Sequence, residues 1–320
     1  MSALEKESGL PDFIIGGAMK CGTTSMHLML SSREDVFIPR SEVHFFAMGD
    51  LIQSAGIITL DPGRTRFDLG SEEKMGWYKS FFKNARSEQL VGEDSTTYLP
   101  SRLAPERIRE LLPDTKLIFM LRNPVDRTYS HYRHMVNRGR ATKTFEQELI
   151  HGSSTLHLRS FYKPQLERYY KLFPREQIKV VLFERFVEET QTVMDEVSSY
   201  LGLSGSVDVG EKNRTHANTS WYPGWPRTYL MINYILGERA GRSRSHWPGE
   251  PSENRISDTG FAKDLLRSLL FRLRRMIPKQ ESFPSIDDSL RQRLTQLYAR
   301  KNQGIGKLVD IEVGEYWPFE

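Results

Sequence analysis

"GGAMKCGTTS" (Gly16–Ser25) has the frame of a phosphate-binding loop, with its lysine in an unusual place. From Gly17 it reads G-x-x-x-x-G, but the position after Gly22, where a nucleotide-hydrolysing loop carries its lysine, is Thr23. The loop's lysine is Lys20, between the glycines. Upstream, "DFIIGG" (Asp12–Gly17) is short, apolar and glycine-ended, which predicts a buried strand feeding a tight turn. Downstream, "TTSMHLML" predicts a helix with Thr23 or Thr24 near its N-cap. A strand, a glycine turn and a helix start in succession direct the N–H groups of Gly22, Thr23, Thr24 and Ser25 at one anion.

The same alternation continues along the chain. "LVGEDS", "KLIFMLR" (Lys116–Arg122) and "IKVVLFE" (Ile178–Glu184) predict further buried strands. Helical patterns separate them: "RLAPERIRELL", "PVDRTYSHYRHMV", "QLERYYKLF" and "ETQTVMDEVSSYLGL". The fold class expected is therefore α/β: one three-layer, P-loop-like domain with a mostly parallel central sheet flanked by helices. Ligands bind beyond the carboxyl ends of such strands, and Gly16–Gly22, Asp94–Thr97 and Arg122–Pro124 all occupy such ends. Two amphipathic patterns close the chain. In "FAKDLLRSLLFRLRRMIP" the apolar positions Leu266, Leu269, Leu270, Leu273 and Ile277 predict a helix docked on the domain rather than on a membrane surface. "SLRQRLTQLYARKNQGIGKLV" predicts another.

The 320 residues are 38% hydrophobic and 27% charged with a net charge of +4, an ordinary soluble composition with too little positive excess to argue for nucleic acid. One cysteine excludes an internal disulfide framework and suits a reducing compartment. No apolar run approaches the roughly 20 residues of a membrane span, and the N-terminus lacks a signal-peptide pattern. A cytoplasmic protein is expected, and oligomeric state has no signature.

Two more segments carry chemistry. In "LRNPVDRTYSHY", Arg122 ends a strand, Pro124 opens a helix, and Ser130 follows about two turns into it. A guanidinium fork and a hydroxyl suit a phosphate monoester. In "SEVHFF", an extended backbone would put Glu42 and His44 on one side, offering two proton acceptors.

Together "PDFIIGGAMKCGTTSMHLML", "PRSEVHFF" and "KLIFMLRNPVDRTYSHYRHMV" resemble, in order, the sulfotransferase family that uses 3′-phosphoadenosine 5′-phosphosulfate (PAPS). The nearest likeness is to glycan sulfotransferases of the heparan sulfate type and their bacterial relatives. "GEDSTTYLP" and "RLTQLYARKNQGIGKLV" also fit, so the likeness covers most of the chain. It implies that PAPS donates a sulfuryl group to an acceptor hydroxyl, carbohydrate or natural-product or lipid alcohol, without a metal. Gly22, Thr23, Thr24 and Ser25 then hold the 5′-phosphate, Lys20 supports the bridging oxygen, and Arg122 and Ser130 hold the 3′-phosphate. The glutamate position makes Glu42 the general base, with His44 as orienting partner or alternative base. The family's nucleotide-covering loop falls at about 211–227, with Arg214 as a 3′-phosphate contact and Trp221, Tyr222 and Trp225 as lining or packing aromatics. The implied division is a core at about 11–205, that loop, and a C-terminal helical part at about 228–320. Acceptor specificity is expected in loops at Gly49–Lys74, His151–His157 and Gly237–Gly260.

One departure stands out: heparan-type relatives carry a lysine where this chain has Asp94, which weakens the case for a sulfated polysaccharide acceptor. Asp94 is left to contact the acceptor or Lys20, or to cap its turn. Two other readings stand beside the transferase. A P-loop kinase is disfavoured by the displaced lysine and by an arginine where a metal-binding aspartate belongs. A non-catalytic nucleotide-binding module is disfavoured by the joint presence of Lys20, Glu42, Arg122 and Ser130.

Overall fold

Five short strands rich in β-branched and large apolar side chains form the centre of the molecule. In the computed structural model, residues 10–50, 71–151, 155–207, 209, 221–237 and 261–318 are described. Strand β1 is Phe13–Gly17, β2 Val36–Phe37, β3 Leu90–Asp94, β4 Lys116–Leu121 and β5 Ile178–Leu182. They form one sheet in the order β2-β3-β1-β4-β5, with every pair parallel. Leu117–Leu121 of β4 are fully buried, as are Phe13–Ile15 of β1. Strands buried on both faces read as continuous apolar runs, hence "FII" and "LIFML". Each such side chain contributes roughly 1.5–3 kcal/mol of transfer free energy. Where β1 approaches β4, a Cβ on Gly16 would lie 2.5 Å from a Phe119 ring carbon, so only glycine fits.

Parallel pairing requires crossovers, and helices supply them. Helix α1 (Thr23–Ser31) follows β1, α2 (Glu72–Ser80) precedes β3, and α3 (Ala104–Leu111) joins β3 to β4. Between β4 and β5 come α4 (Pro124–Asn137), α5 (Phe145–His151), α6 (Thr155–Leu158) and α7 (Tyr162–Tyr170); α8 (Phe183–Glu188) and α9 (Thr190–Leu201) follow. From β1 the chain departs to β2 on one side, then passes back across to β4 on the other. The carboxyl ends of β1 and β4 therefore flank the topological switch point, where open α/β sheets bind ligands.

Several local expectations need correction. The α1 N-cap is Gly22, at φ 88°, rather than Thr23 or Thr24, because the turn from β1 needs a left-handed residue there. His44 is also left-handed (φ 60°) and opens a 3₁₀ turn at Phe45–Ala47, so "SEVHFF" is not extended throughout. Strand β2 and helix α2 lie in stretches with no clear periodicity, the latter overlapping the expected Gly49–Lys74 loop. The expected His151–His157 loop is mostly the end of α5 and the body of α6; residues 152–154 and Gly237–Gly260 beyond its first residue lie outside the described residues.

The C-terminal part packs on this core. The helix Asp288–Asn302 sits against α4 and α7, with the Tyr298 hydroxyl 2.8 Å from Thr128 Oγ1 and Asn302 Nδ2 donating to the Ser160 carbonyl at 3.0 Å. Gly304 separates it from a short helix, Ile305–Val309. In the helix Phe261–Met276, Leu270 packs on the cluster around Tyr132, Tyr229 and Ile232, as does Ile277 just beyond its end. The rest of the anticipated docking stripe does not: Leu266, Leu269 and Leu273 are 43–52% exposed, because only one edge of the helix meets the helix Pro226–Gly237. Among the described residues no helix is long and apolar enough to cross a membrane.

Candidate active site

The glycine turn and α4 together hold a concentration of positive charge. Lys20 stands in the turn with φ 71°, a conformation that costs on the order of 1–3 kcal/mol for a residue with a Cβ. Burial first, then the charges of Arg122 and Arg133, hold its ammonium below the ordinary lysine pKa; Arg138 adds to this. Arg122 is fixed at the end of β4, where its carbonyl accepts from the Tyr162 hydroxyl at 2.8 Å. Its guanidinium lies 4.6 Å over the Phe183 ring. Asn123 caps α4 by accepting from Val125 N (3.0 Å) and Asp126 N (3.4 Å), with Pro124 in the first turn. Along α4, Ser130, Arg133, His134 and Arg138 recur at helical spacing, so one face of that helix turns toward the loop. His134 is pushed down to about 4 by burial, then by Lys20, Arg138 and Arg140, and stays neutral near pH 7. His131 is pushed down the same way, by burial and then by Arg127 and Arg159. Such mutual repulsion within one corner is what an anion would relieve.

The carboxylate of Glu42 is held by a separate frame. Its Oε2 accepts from Thr96 N at 3.1 Å and Thr96 Oγ1 at 2.8 Å. His44 Nε2 is 3.4 Å from the same oxygen, while its Nδ1 meets Thr97 Oγ1 at 2.9 Å. Behind them lies Glu93, fully buried, which accepts from the Tyr78 hydroxyl (2.6 Å), Ser95 Oγ (2.9 Å) and the Tyr98 hydroxyl. Burial pushes its carboxyl up to about 7 even though all three donors pull it down. Ser95 Oγ also accepts from the backbone N–H of Val43 (3.2 Å) and His44 (2.9 Å). Thus "GEDSTTY" both forms the end of β3 and fixes the segment that carries Glu42 and His44. From the other side, Arg107 Nη1 donates to the carbonyls of Phe46 (3.0 Å) and Met48 (2.7 Å).

Asp94 is buried and faces α1, where His27 Nδ1 lies 3.4 Å from its Oδ2. Burial raises its carboxyl to about 6, with His27 opposing the rise and the Glu42 charge adding to it. Of the three roles open to Asp94, neither a Lys20 contact nor a turn cap is formed; its ion-pair partner is His27. Arg159, a buried residue just after α6, feels the charges of Glu42 and Asp50, although burial first and Arg127 second push its guanidinium down to about 10. In front of Glu42 opens a cavity of about 370 Å³ lined by Ser41, Glu42, Val43, His44, Trp77 and Phe81.

Of the anticipated residues, Lys20, Gly22, Thr23, Thr24 and Ser25 share the turn and the start of α1. Arg122 interacts with Lys20, Ser130 lies on α4 beyond it, and Glu42 and His44 form a pair. Arg214 lies outside the described residues. Trp221 packs edge-on against Tyr229 at 5.6 Å and Tyr222 against Phe283 at 4.9 Å, while Trp225 is exposed. Arg133, Arg138, His27, Arg159, Trp77 and Phe81 were not anticipated. Arg133 was findable, being three residues past Ser130 on a predicted helix, and Arg138 lies two residues beyond that predicted helix; the others are brought in by tertiary packing alone.

Comparison with known proteins gives the family. Residues 11–207 match the sulfotransferase family. The chain is 28% identical over 289 residues to the human bifunctional heparan sulfate N-deacetylase/N-sulfotransferase 2, covering 84% of this chain and 30% of that protein. It is 28% identical over 254 residues to the human heparan sulfate glucosamine 3-O-sulfotransferase 3A1, covering 77% and 54%. The chain thus spans about a third to a half of the length of these relatives. Among solved structures, a sulfotransferase from Alicyclobacillus acidocaldarius superposes with a TM-score of 0.62 at 25% identity, covering 96% of this chain and 98% of that one.

Proposed function

This chain belongs to the sulfotransferase family, and we propose that it transfers a sulfuryl group from PAPS to an acceptor hydroxyl with Glu42 as the general base. The observation that carries this reading is the pairing of β1 with β4, whose Ala18 N–H donates to the Met120 carbonyl at 2.7 Å and so brings the turn with Lys20 beside the strand end with Arg122. A ligand bearing phosphates on both ends of an adenosine suits those two cations and the α1 N-terminus, and the depression of Lys20 by burial and then by its arginine neighbours supports an anion there. When bound, the nucleotide supplies the sulfuryl group and departs as 3′,5′-adenosine bisphosphate.

The chain's own residues divide the rest of the work. Gly22, Thr23, Thr24 and Ser25 present N–H groups to the 5′-phosphate. Lys20 neutralises charge growing on the bridging oxygen; fixed electrostatics of this kind is usually the largest catalytic contribution. Arg122 and Ser130, joined by Arg133, hold the 3′-phosphate and select against ATP. The Glu42 carboxylate, its second oxygen aimed by Thr96, takes the acceptor's proton, while His44 steers it. Calorimetry in the presence of chelator tests the donor: 3′,5′-adenosine bisphosphate is expected to bind at least 100-fold more tightly than ATP. ATP binding of equal strength, or magnesium-dependent ATP turnover, would replace this reading with the kinase.

A further inference from the structure

The sequence leaves the acceptor open, but the cavity before Glu42 narrows it. Helix α2 presents two stripes at i, i+4 spacing. Tyr78 and Phe82 are buried, Tyr78 hydrogen-bonded to Glu93 and ring-stacked on Phe45 at 4.3 Å. Trp77 and Phe81, half-buried on the adjacent stripe, meet edge to face at 4.9 Å and line the cavity. The side chains lining it are thus two aromatic rings, a valine, a serine, an imidazole and one carboxylate; among the described residues none carries a permanent positive charge. A second carboxylate, the buried Asp94, feels the Glu42 charge and stands at the sequence position where the heparan-type pattern has a lysine. The Arg159 guanidinium, which feels the Glu42 charge, is buried and does not line the cavity.

An anionic acceptor would meet the Glu42 carboxylate here, with no cation among the described lining residues to offset it, which disfavours binding. Aromatic faces reward a flat apolar partner, with offset or edge-on contacts adding to area burial. The cavity's volume sits at the small end of ligand pockets, which span about 300–1,000 Å³. That suits one or two rings and not a stretch of polysaccharide.

Resting on the sulfuryl-transfer reading, we propose that the acceptor is an uncharged hydroxyl compound built on one or two flat apolar rings, held by Trp77 and Phe81 with its hydroxyl at Glu42. The acceptor O–H gives its proton to the Glu42 carboxylate as its oxygen bonds to sulfur. The sulfur–oxygen bond to the 5′-phosphate breaks, and that electron pair stays on the phosphate.

The test offers 2-naphthol and an N-sulfated heparosan hexasaccharide to the protein with sulfur-labelled PAPS, and titrates each acceptor into protein loaded with the bisphosphate. Expected are a kcat/KM at least tenfold higher for 2-naphthol and saturable naphthol binding. Trp77→Ala, with Trp77→Phe as the milder variant, is expected to weaken naphthol binding about tenfold and about threefold while bisphosphate affinity stays within twofold. Preference for the hexasaccharide, no saturable naphthol binding, or unchanged naphthol affinity in both Trp77→Ala and Phe81→Ala overturns the inference and leaves the transferase standing. Failure of the bisphosphate to bind at all removes the reading beneath it.

Discussion

Replacing Glu93 by glutamine removes a titration that burial has made thermodynamically visible. The carboxyl sits fully buried among three hydroxyl donors, and burial lifts it from 4.5 to about 7. The folded chain therefore keeps its proton up to about pH 7, while the unfolded chain releases it near 4.5. Stabilisation from the held proton is complete below the unfolded value and is lost as pH rises through the folded one. Integrating between pH 5 and pH 8, the wild type loses about 2–3 kcal/mol from this group alone. Glu93→Gln has no proton to lose. The difference in unfolding free energy, wild type minus variant, is therefore expected to fall by that amount across the interval. Asp94, raised to about 6, drifts the same way, and His131 and His134, both lowered, drift oppositely, but all three are present in both proteins and largely cancel in the difference. Urea unfolding followed by tryptophan fluorescence at pH 5, 6, 7 and 8 measures it. Parallel stability curves for the two proteins would refute the assignment of Glu93 as a strongly displaced buried acid.

Other expectations concern the site directly. Glu42→Gln should lower kcat by about 10²–10⁴ with bisphosphate affinity unchanged; undiminished turnover rejects it as the base. Arg122→Ala removes a charge-assisted contact of about 1.5–3 kcal/mol, so the Kd for 3′,5′-adenosine bisphosphate should rise roughly 10- to 150-fold by calorimetry. Ser95→Ala deprives two backbone N–H groups and Glu93 of a partner; a stability loss of about 1–3 kcal/mol and a fall in kcat without change in bisphosphate affinity are expected. Unaltered kcat in Ser95→Ala would show that Glu42 does not depend on this frame.

What could be read from sequence followed the reach of its signals. Strands β1, β3, β4 and β5 were legible because burial on both faces leaves continuous apolar runs, and the glycine turn because its residue types are dictated by backbone geometry. Lys20 and Arg122 were legible as charged residues at strand ends. Strand β2, two residues long, carries no period, and α2 hides because its nine residues include Gly76 and set Lys74 beside the apolar Met75, Trp77 and Tyr78. The Glu93 cluster was beyond reach for another reason: its donors come from residues 78, 95 and 98, and only packing of α2 against β3 brings them together. His44 illustrates a near miss. Alternation along a strand was the wrong reason to pair it with Glu42, since a left-handed turn achieves the meeting instead.

Asp94 links the frame to the question of substrate. A lysine there would bring positive charge to the acceptor side; aspartate brings a second carboxylate, whose cost shows in its elevation to about 6. His27 from α1 offsets part of that cost directly, and the buried Arg159 feels the charge of Glu42. The exchange thus moves the compensating cations from the face an acceptor meets to the interior of the fold. Above pH 6 the buried Asp94 adds its charge to that of Glu42, which lines the cavity, and below it Asp94 becomes neutral. A sulfated acceptor would accordingly bind with a KM that climbs as pH rises through 6, whereas a neutral ring compound would show no such climb. The pH dependence of KM therefore distinguishes the two acceptor classes without knowledge of the natural substrate.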